Sequence, residues 1–226
     1  SETITLAIMG QFEIFASERD FYRYAERHCR PLFPTLPDRS QFNRAVRHLE
    51  DRIGAFAQML ARAVTPEDCL FEIIDGTGIV TRNLKRRGHG WLAGEAAIGK
   101  CTRVGWYEGV RLLIATTPAG AITGWGIAPA KTNDRSLADT LLAQRAMPHP
   151  DLPSVGTTMT GTYLADKGFA GIRWETHWRD DYHAIVIAPP EVSHRRNWLP
   201  AARKWFAGKR QIIETTTDRL LSAYGL

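Results

Sequence analysis

Tyr163-Leu-Ala-Asp-Lys-Gly-Phe-Ala-Gly171 closes a β-prone run with an acid, a base and a glycine in succession. The pattern predicts a strand that ends at Asp166 and then a turn into a helix. A carboxylate at the C-terminal end of a strand faces the crevice where open α/β sheets do chemistry. Alone, such an Asp is more often an ordinary turn residue. Two further acids, Asp75 upstream and Glu214 downstream, stand in equally particular places and raise the weight of the reading.

Upstream, Cys69-Leu-Phe-Glu-Ile-Ile-Asp75 is short, apolar and β-rich, and is expected to be a strand that ends in Asp75-Gly-Thr-Gly78. Gly76 and Gly78 make no phosphate-binding fingerprint, because neither a third glycine nor Gly-Lys-Ser/Thr follows. A loop from Thr81 to Gly99 carries Lys85, Arg86 and Arg87. Lys100–Tyr107, Val110–Thr117 and Ala121–Ala128 read as an antiparallel meander, turned at Glu108-Gly109 and at Pro118-Ala-Gly120. Asn133 opens a capped helix to about Arg145, and a weak strand runs from Val155 to Ala165.

Downstream, Gly168 to about Arg173 turns into a helix or loop. His183–Ala188 is a strand stopped by Pro189-Pro190, and Lys209 to Tyr224 is a helix carrying Glu214. A basic segment with Arg195, Arg196, Arg203 and Lys204 leads into that helix. Residues 1–65 read differently. Ser1, Ser17 and Asp38 start helices, Pro31, Pro34 and Pro37 break them, and the helix from Asp38 is expected to reach about Ala63. Arg44, Arg47 and His48 share its polar side, which suits a DNA contact but more often marks a solvated face. Thr65-Pro66 marks the boundary. Residues 1–65 are expected to form a helical N-terminal region, suited to DNA binding or dimerisation, and residues 66–226 a separate α/β domain that would hold any catalytic site.

A chain of 226 residues with 44% hydrophobic and 23% charged residues can bury a core without staples. No apolar run approaches membrane length. Cys29, Cys69 and Cys101 form neither a zinc pattern nor a disulfide framework, and point to reduced thiols in the cytoplasm. The histidines His89, His177, His183 and His194 also lack zinc spacing. The net charge of +5 permits a nucleic-acid partner without requiring one.

The order of elements is strand ending in Asp, meander, helix, strand ending in Asp, helix, strand, helix with Glu. It is close to that of a ribonuclease H-like α/β fold, a mixed sheet flanked by helices, with one strand as an insertion. In such a fold the first and fourth strands are neighbours, so Asp75 and Asp166 meet, and a final helix could add Glu214. Three converging carboxylates repel one another unless cations neutralise them. Oxygen-only ligands suit magnesium or manganese rather than zinc. Two such ions about 3.5–4 Å apart activate a water or hydroxyl and stabilise the leaving oxygen of a phosphodiester.

The chain resembles the DDE-type transposases of bacterial insertion sequences over most of its length. Ser17-Glu-Arg-Asp-Phe-Tyr-Arg-Tyr, Leu32-Phe-Pro-Thr-Leu-Pro and Arg39-Ser-Gln-Phe-Asn-Arg are similar to the helical leader of those proteins. Ile73-Ile-Asp75 looks like their first acid motif, Leu164-Ala-Asp-Lys-Gly-Phe169 like the second, and Arg210-Gln-Ile-Ile-Glu214 like the third. Leu221 and Ala207 stand where the family's tyrosine-arginine-glutamate-lysine signature has its lysine and tyrosine. Similar transposases continue with further helices, so the catalytic domain is expected to be short at its C-terminus. The resemblance implies that Asp75, Asp166 and Glu214 are catalytic and bind Mg2+ or Mn2+. It implies metal-dependent nicking and strand transfer on double-stranded DNA, by a homodimer in the bacterial nucleoid.

DNA contacts are then expected at Lys85, Arg86, Arg87, Lys167, Arg195, Arg196 and Arg210, where cations displace counterions from phosphate. Trp198 and Trp205 could stack on an unpaired base, although their spacing more often marks packed tryptophans. Arg210 and Glu214 are also at ion-pairing distance along a helix, which would make both structural. Two other classes share the features: a ribonuclease H-like nuclease without strand transfer, and a non-catalytic DNA-binding protein derived from a transposase.

Overall fold

Ile73 and Ile74 decide how the largest sheet is covered, because neighbouring residues of a strand face opposite sides. Ile74 packs under one set of helices and Ile73 under another, and both are fully buried. The structure is a computed structural model and describes residues 2–12, 15, 17–66, 69–82, 92, 94–146, 161–190 and 198–224. Its contacts divide the chain into two units, residues 1–57 with 222–225 and residues 58–221.

The first unit holds α1 (Glu2–Phe12), α2 (Glu18–His28) and α3 (Arg39–His48). Their apolar faces meet in a core of Leu6, Phe21, Tyr22, Ala25, Cys29, Phe33 and Phe42. The expected starts are present as caps. The Ser17 hydroxyl accepts from the Asp20 N–H at 3.2 Å, and Asp38 forms a reciprocal capping box with Gln41. The long helix expected from Asp38 breaks once, at Leu49, and resumes as α4 (Glu50–Ala63). The division between the two units falls within α4.

The second unit is a curled mixed sheet flanked by helices. Its strands are β1 (Glu72–Arg82), β2 (Ala97–Cys101), β3 (Gly105–Thr116), β4 (Ile122–Pro129), β5 (Thr162–Ala165) and β6 (Ile185–Ile187). The path is β2-β3-β1-β5-β6, with β4 also paired to β3. β1 runs antiparallel to β3 and parallel to β5. β2 pairs with residues 105–109 of β3 and β4 with residues 110–116, both antiparallel. On one face, α5 (Asp134–Ala146) and α6 (Ile172–Tyr182) cover Ile74, Leu113, Ala115, Tyr163 and Val186. On the other, α7 (Pro200–Tyr224) brings Phe206 and Ile213 onto Ile73, Leu112, Ile114 and Leu164.

Three expectations change. The first strand does not end at Asp75 but continues to Arg82. Gly76 and Gly78 therefore lie inside a strand, where glycine marks close approach rather than a turn. A methyl group at Gly76 would overlap the Asp134 carboxylate, and one at Gly78 would overlap the Tyr107 ring. Similarly, Glu108-Gly109 is not a turn. β3 passes straight through it, and Gly109 is small because β1 crowds it: a Cβ there would strike the Ile79 carbonyl. The reversal lies at residues 102–104, and Gly105 takes the left-handed φ of +73° that follows it. Finally, α7 starts at Pro200 rather than Lys209, so Gly208 is an exposed residue within a helix. The part of the expected weak strand before residue 161 lies outside the described residues.

One polar group is fully buried beneath α5. Glu72, at 0% exposure, accepts hydrogen bonds from Arg145 and from the Thr123 hydroxyl. Arg145 also reaches the Tyr163 hydroxyl at 3.1 Å and the Thr123 hydroxyl at 3.1 Å. Burial acts against the Arg145 charge, but Glu72 and Tyr163 outweigh it and hold its pKa above the ordinary arginine value. Arg145→Met should destabilise the fold by about 3–5 kcal/mol, because it strands the Glu72 carboxylate, and adding Glu72→Leu should recover much of that loss. Chemical denaturation of the single and double variants measures both.

A second polar cluster ties α6 to α5. His177 Nε2 lies 2.9 Å from Asp139 Oδ1, and its Nδ1 meets Asp181. The Trp178 indole N–H also donates to Asp139, at 3.2 Å. The bond to Asp181, supported by Asp139, raises the His177 pKa against partial desolvation. A histidine with a raised folded pKa contributes stability below its unfolded pKa of about 6.5, and loses it as pH rises through the higher folded value. Melting temperatures between pH 6 and pH 9 should fall more for the wild type than for His177→Gln.

Candidate active site

The pairing of β1 with β5 brings the first two acids together. Glu72, Ile73 and Ile74 lie opposite Tyr163, Leu164 and Ala165 in a parallel ladder. Asp75 and Asp166 are each the next residue along. Asp75 follows the alternation of Ile73 and faces α7. The Gly76 N–H donates to its Oδ1 at 2.8 Å. Asp166 caps the single 3-10 turn Lys167–Phe169, where the Gly168 N–H donates to its Oδ1 at 2.6 Å. That turn bends the chain off the sheet and into α6. Arg135 fastens it with hydrogen bonds to the Gly168 and Ala170 carbonyls at 2.7 and 2.6 Å.

Glu214 comes from α7, directly after the buried Ile213 that seats this helix on the sheet. It does not touch Asp75 directly. Arg210, one turn earlier, lies between them: its Nη2 is 3.4 Å from Glu214 Oε1 and 3.9 Å from Asp75 Oδ2. The helix ion pair that the spacing allows is therefore formed, and it extends to the first acid. Among the described residues, no group of three or more His, Cys, Asp or Glu side chains is close enough together to hold a metal ion.

A fourth acid, Asp134, belongs to this neighbourhood. It stands in the first turn of α5, against the bare backbone of Gly76, and pairs with Arg111 at 3.3 Å. In the sequence it is one residue of a helix start, and only the missing side chain at Gly76 hints that something must approach there. Burial raises the Asp134 pKa, opposed by Arg111 and reinforced by Asp166. Burial likewise pushes Asp75 up, to about 6. The Gly76 N–H and Arg210 oppose that rise, and Asp166 and Asp134 add to it. The donor chemistry is that of hard oxygen ligands, which fits magnesium or manganese in character.

Of the expected DNA contacts, Lys167 is exposed beside Asp166, and Arg210 is half-buried among the acids. Lys85, Arg86, Arg87, Arg195 and Arg196 lie outside the described residues. Trp198 stacks edge-on against Phe206, with ring centres 5.2 Å apart, and joins the packing under α7. Trp205 meets Phe71 at 5.6 Å and is 50% exposed. Arg44, Arg47 and His48 are exposed on α3. No described helix is long and apolar enough to cross a membrane. No protein-family model matches the chain, and no curated protein matches it either.

A carboxylate that keeps its proton in the folded state but loses it when unfolded makes stability fall as pH rises between the two pKa values. For Asp75 that window runs from about 4, the ordinary carboxylate value, to about 6. With a chelator present, wild-type stability should decline across this window, and Asp75→Asn should flatten the decline. At pH 7 the variant should be more stable by about 1–3 kcal/mol, read by denaturation at each pH.

Proposed function

We propose that the chain is a DDE-type transposase, cleaving DNA and transferring its strands with Asp75, Asp166 and Glu214 as the metal-binding triad. The observation that carries this reading is the ladder of β1 and β5, whose last rung, Ile74 opposite Ala165, leaves Asp75 and Asp166 side by side. The scaffold is read as ribonuclease H-like. With β2 set aside as an addition, the order β4-β3-β1-β5-β6 has a parallel β1–β5 step at its centre. Glu214 approaches from the helix that packs on that same face.

The oxygen donors suit Mg2+ or Mn2+, held by Asp75 and Asp166 with Glu214 completing the set. Bound there, such ions would activate the attacking oxygen and stabilise the leaving one. The chain's own residues supply placement. Backbone N–H groups of Gly76 and Gly168 orient the two aspartates. Arg135 holds the Asp166 turn, and Ile213 seats the helix that presents Glu214. Lys167, exposed beside Asp166, and the basic residues Lys85, Arg86, Arg87, Arg195 and Arg196 serve the DNA phosphates, so affinity falls with salt. The protein works as a dimer on two DNA ends in the nucleoid.

A second reading has one observation in its favour: Arg210 already pairs with Asp75 and Glu214, as it would in a purely structural ion network of a DNA-binding protein. Nicking of supercoiled plasmid in Mn2+ separates the two. Wild type should nick only with metal, and Asp166→Asn, folded by circular dichroism, should fall to about one-hundredth of that rate or less. Equal cutting by both proteins would sink the triad. DNA binding without cutting by either would favour the second reading.

A further inference from the structure

We infer that Arg210 is a built-in counter-cation that occupies the space between Asp75 and Glu214 and must swing out before a divalent ion can bridge them. The inference rests on the carboxylate reading above and goes beyond it, since that reading gives Arg210 no part in metal binding. A single nitrogen, Nη2, is the near atom for both acids, at 3.9 Å from Asp75 Oδ2 and 3.4 Å from Glu214 Oε1. A positive charge therefore already stands where a shared cation would have to stand. Magnesium needs carboxylate oxygens at about 2.0–2.1 Å, so guanidinium and ion cannot occupy that space together.

The geometry also makes the arginine removable. Neither contact is short, Glu214 is more than half exposed, and Arg210 retains 28% of its side-chain exposure. Ion pairs of this length and exposure are weak. Arg210 and Glu214 sit one turn apart on α7, and Asp75 is fixed in β1, so the guanidinium can leave without any change in the backbone. The same cation offsets part of the repulsion that Asp166 and Asp134 impose on Asp75 in the metal-free protein. Metal affinity is thus the intrinsic affinity of the acids reduced by the work of expelling Arg210.

The test is Mn2+ binding to the metal-free full chain, followed by electron paramagnetic resonance of free Mn2+, for wild type, Arg210→Gln, Arg210→Lys and Asp166→Asn. Removing the charge should tighten binding about tenfold, since the work of breaking two ion pairs and moving the cation away no longer opposes the metal. Arg210→Lys, which keeps the charge, should stay near wild type. If Arg210→Gln binds Mn2+ no better than wild type while Asp166→Asn binds it worse, the acids hold metal but Arg210 does not compete, and the inference falls alone. If Asp166→Asn binds as well as wild type, the triad reading fails and takes the inference with it.

Discussion

Three rungs of parallel ladder carry the rest of the second unit. The pairing of Glu72, Ile73 and Ile74 with Tyr163, Leu164 and Ala165 joins segments that are far apart in the chain. Parallel pairing cannot be made by a tight turn, so everything between the two strands is a crossover that must close before the ladder forms. The rungs are held from both faces, Ile74, Tyr163 and Ala165 under α5 and α6, and Ile73 and Leu164 under α7. A slip of one residue would turn each apolar side chain to the wrong layer. The register that buries the core is therefore the register that sets Asp75 beside Asp166.

That coupling explains the charge balance around the acids. The fold cannot spread Asp75, Asp166 and Asp134 apart without breaking the core, so their repulsion must be met locally. Arg111 answers Asp134, Arg210 answers Asp75, and backbone N–H groups answer Asp75 and Asp166. Burial, with a smaller contribution from Asp166 and Asp134, still holds Asp75 well above the usual carboxylate range. Holding like charges this close costs stability, which the core on both faces of the ladder supplies.

Much of this was legible in the sequence, because local rules set it. Ser17 and Asp38 announced their helices by capping chemistry, and Asp166 was placed correctly at the end of its strand. What escaped depended on contacts distant in the chain. Gly76, Gly78 and Gly109 read as turn residues, yet each is small because another element presses against it. The last helix was expected from Lys209, while Pro200, a favoured first helical residue, was the better signal for where α7 starts. Asp134 had no signal of its own, since its place beside the acids follows from how α5 docks on the sheet. The helix pairing of Arg210 with Glu214 was visible as spacing, but its reach to Asp75 was not.

The buried arginine under α5 has a consequence for how this part of the fold can come apart. Arg145 closes α5 and Tyr163 opens the rungs of β5, and the two are joined by a hydrogen bond and by the guanidinium lying 5.6 Å from the ring centre. The end of α5 and the start of β5 are thus tied by one guanidinium, which also bonds Glu72 of β1. Helix and both strands of the parallel ladder therefore share one buried charge, and opening any of them would break the network of the other two. The knot makes the three a single cooperative unit.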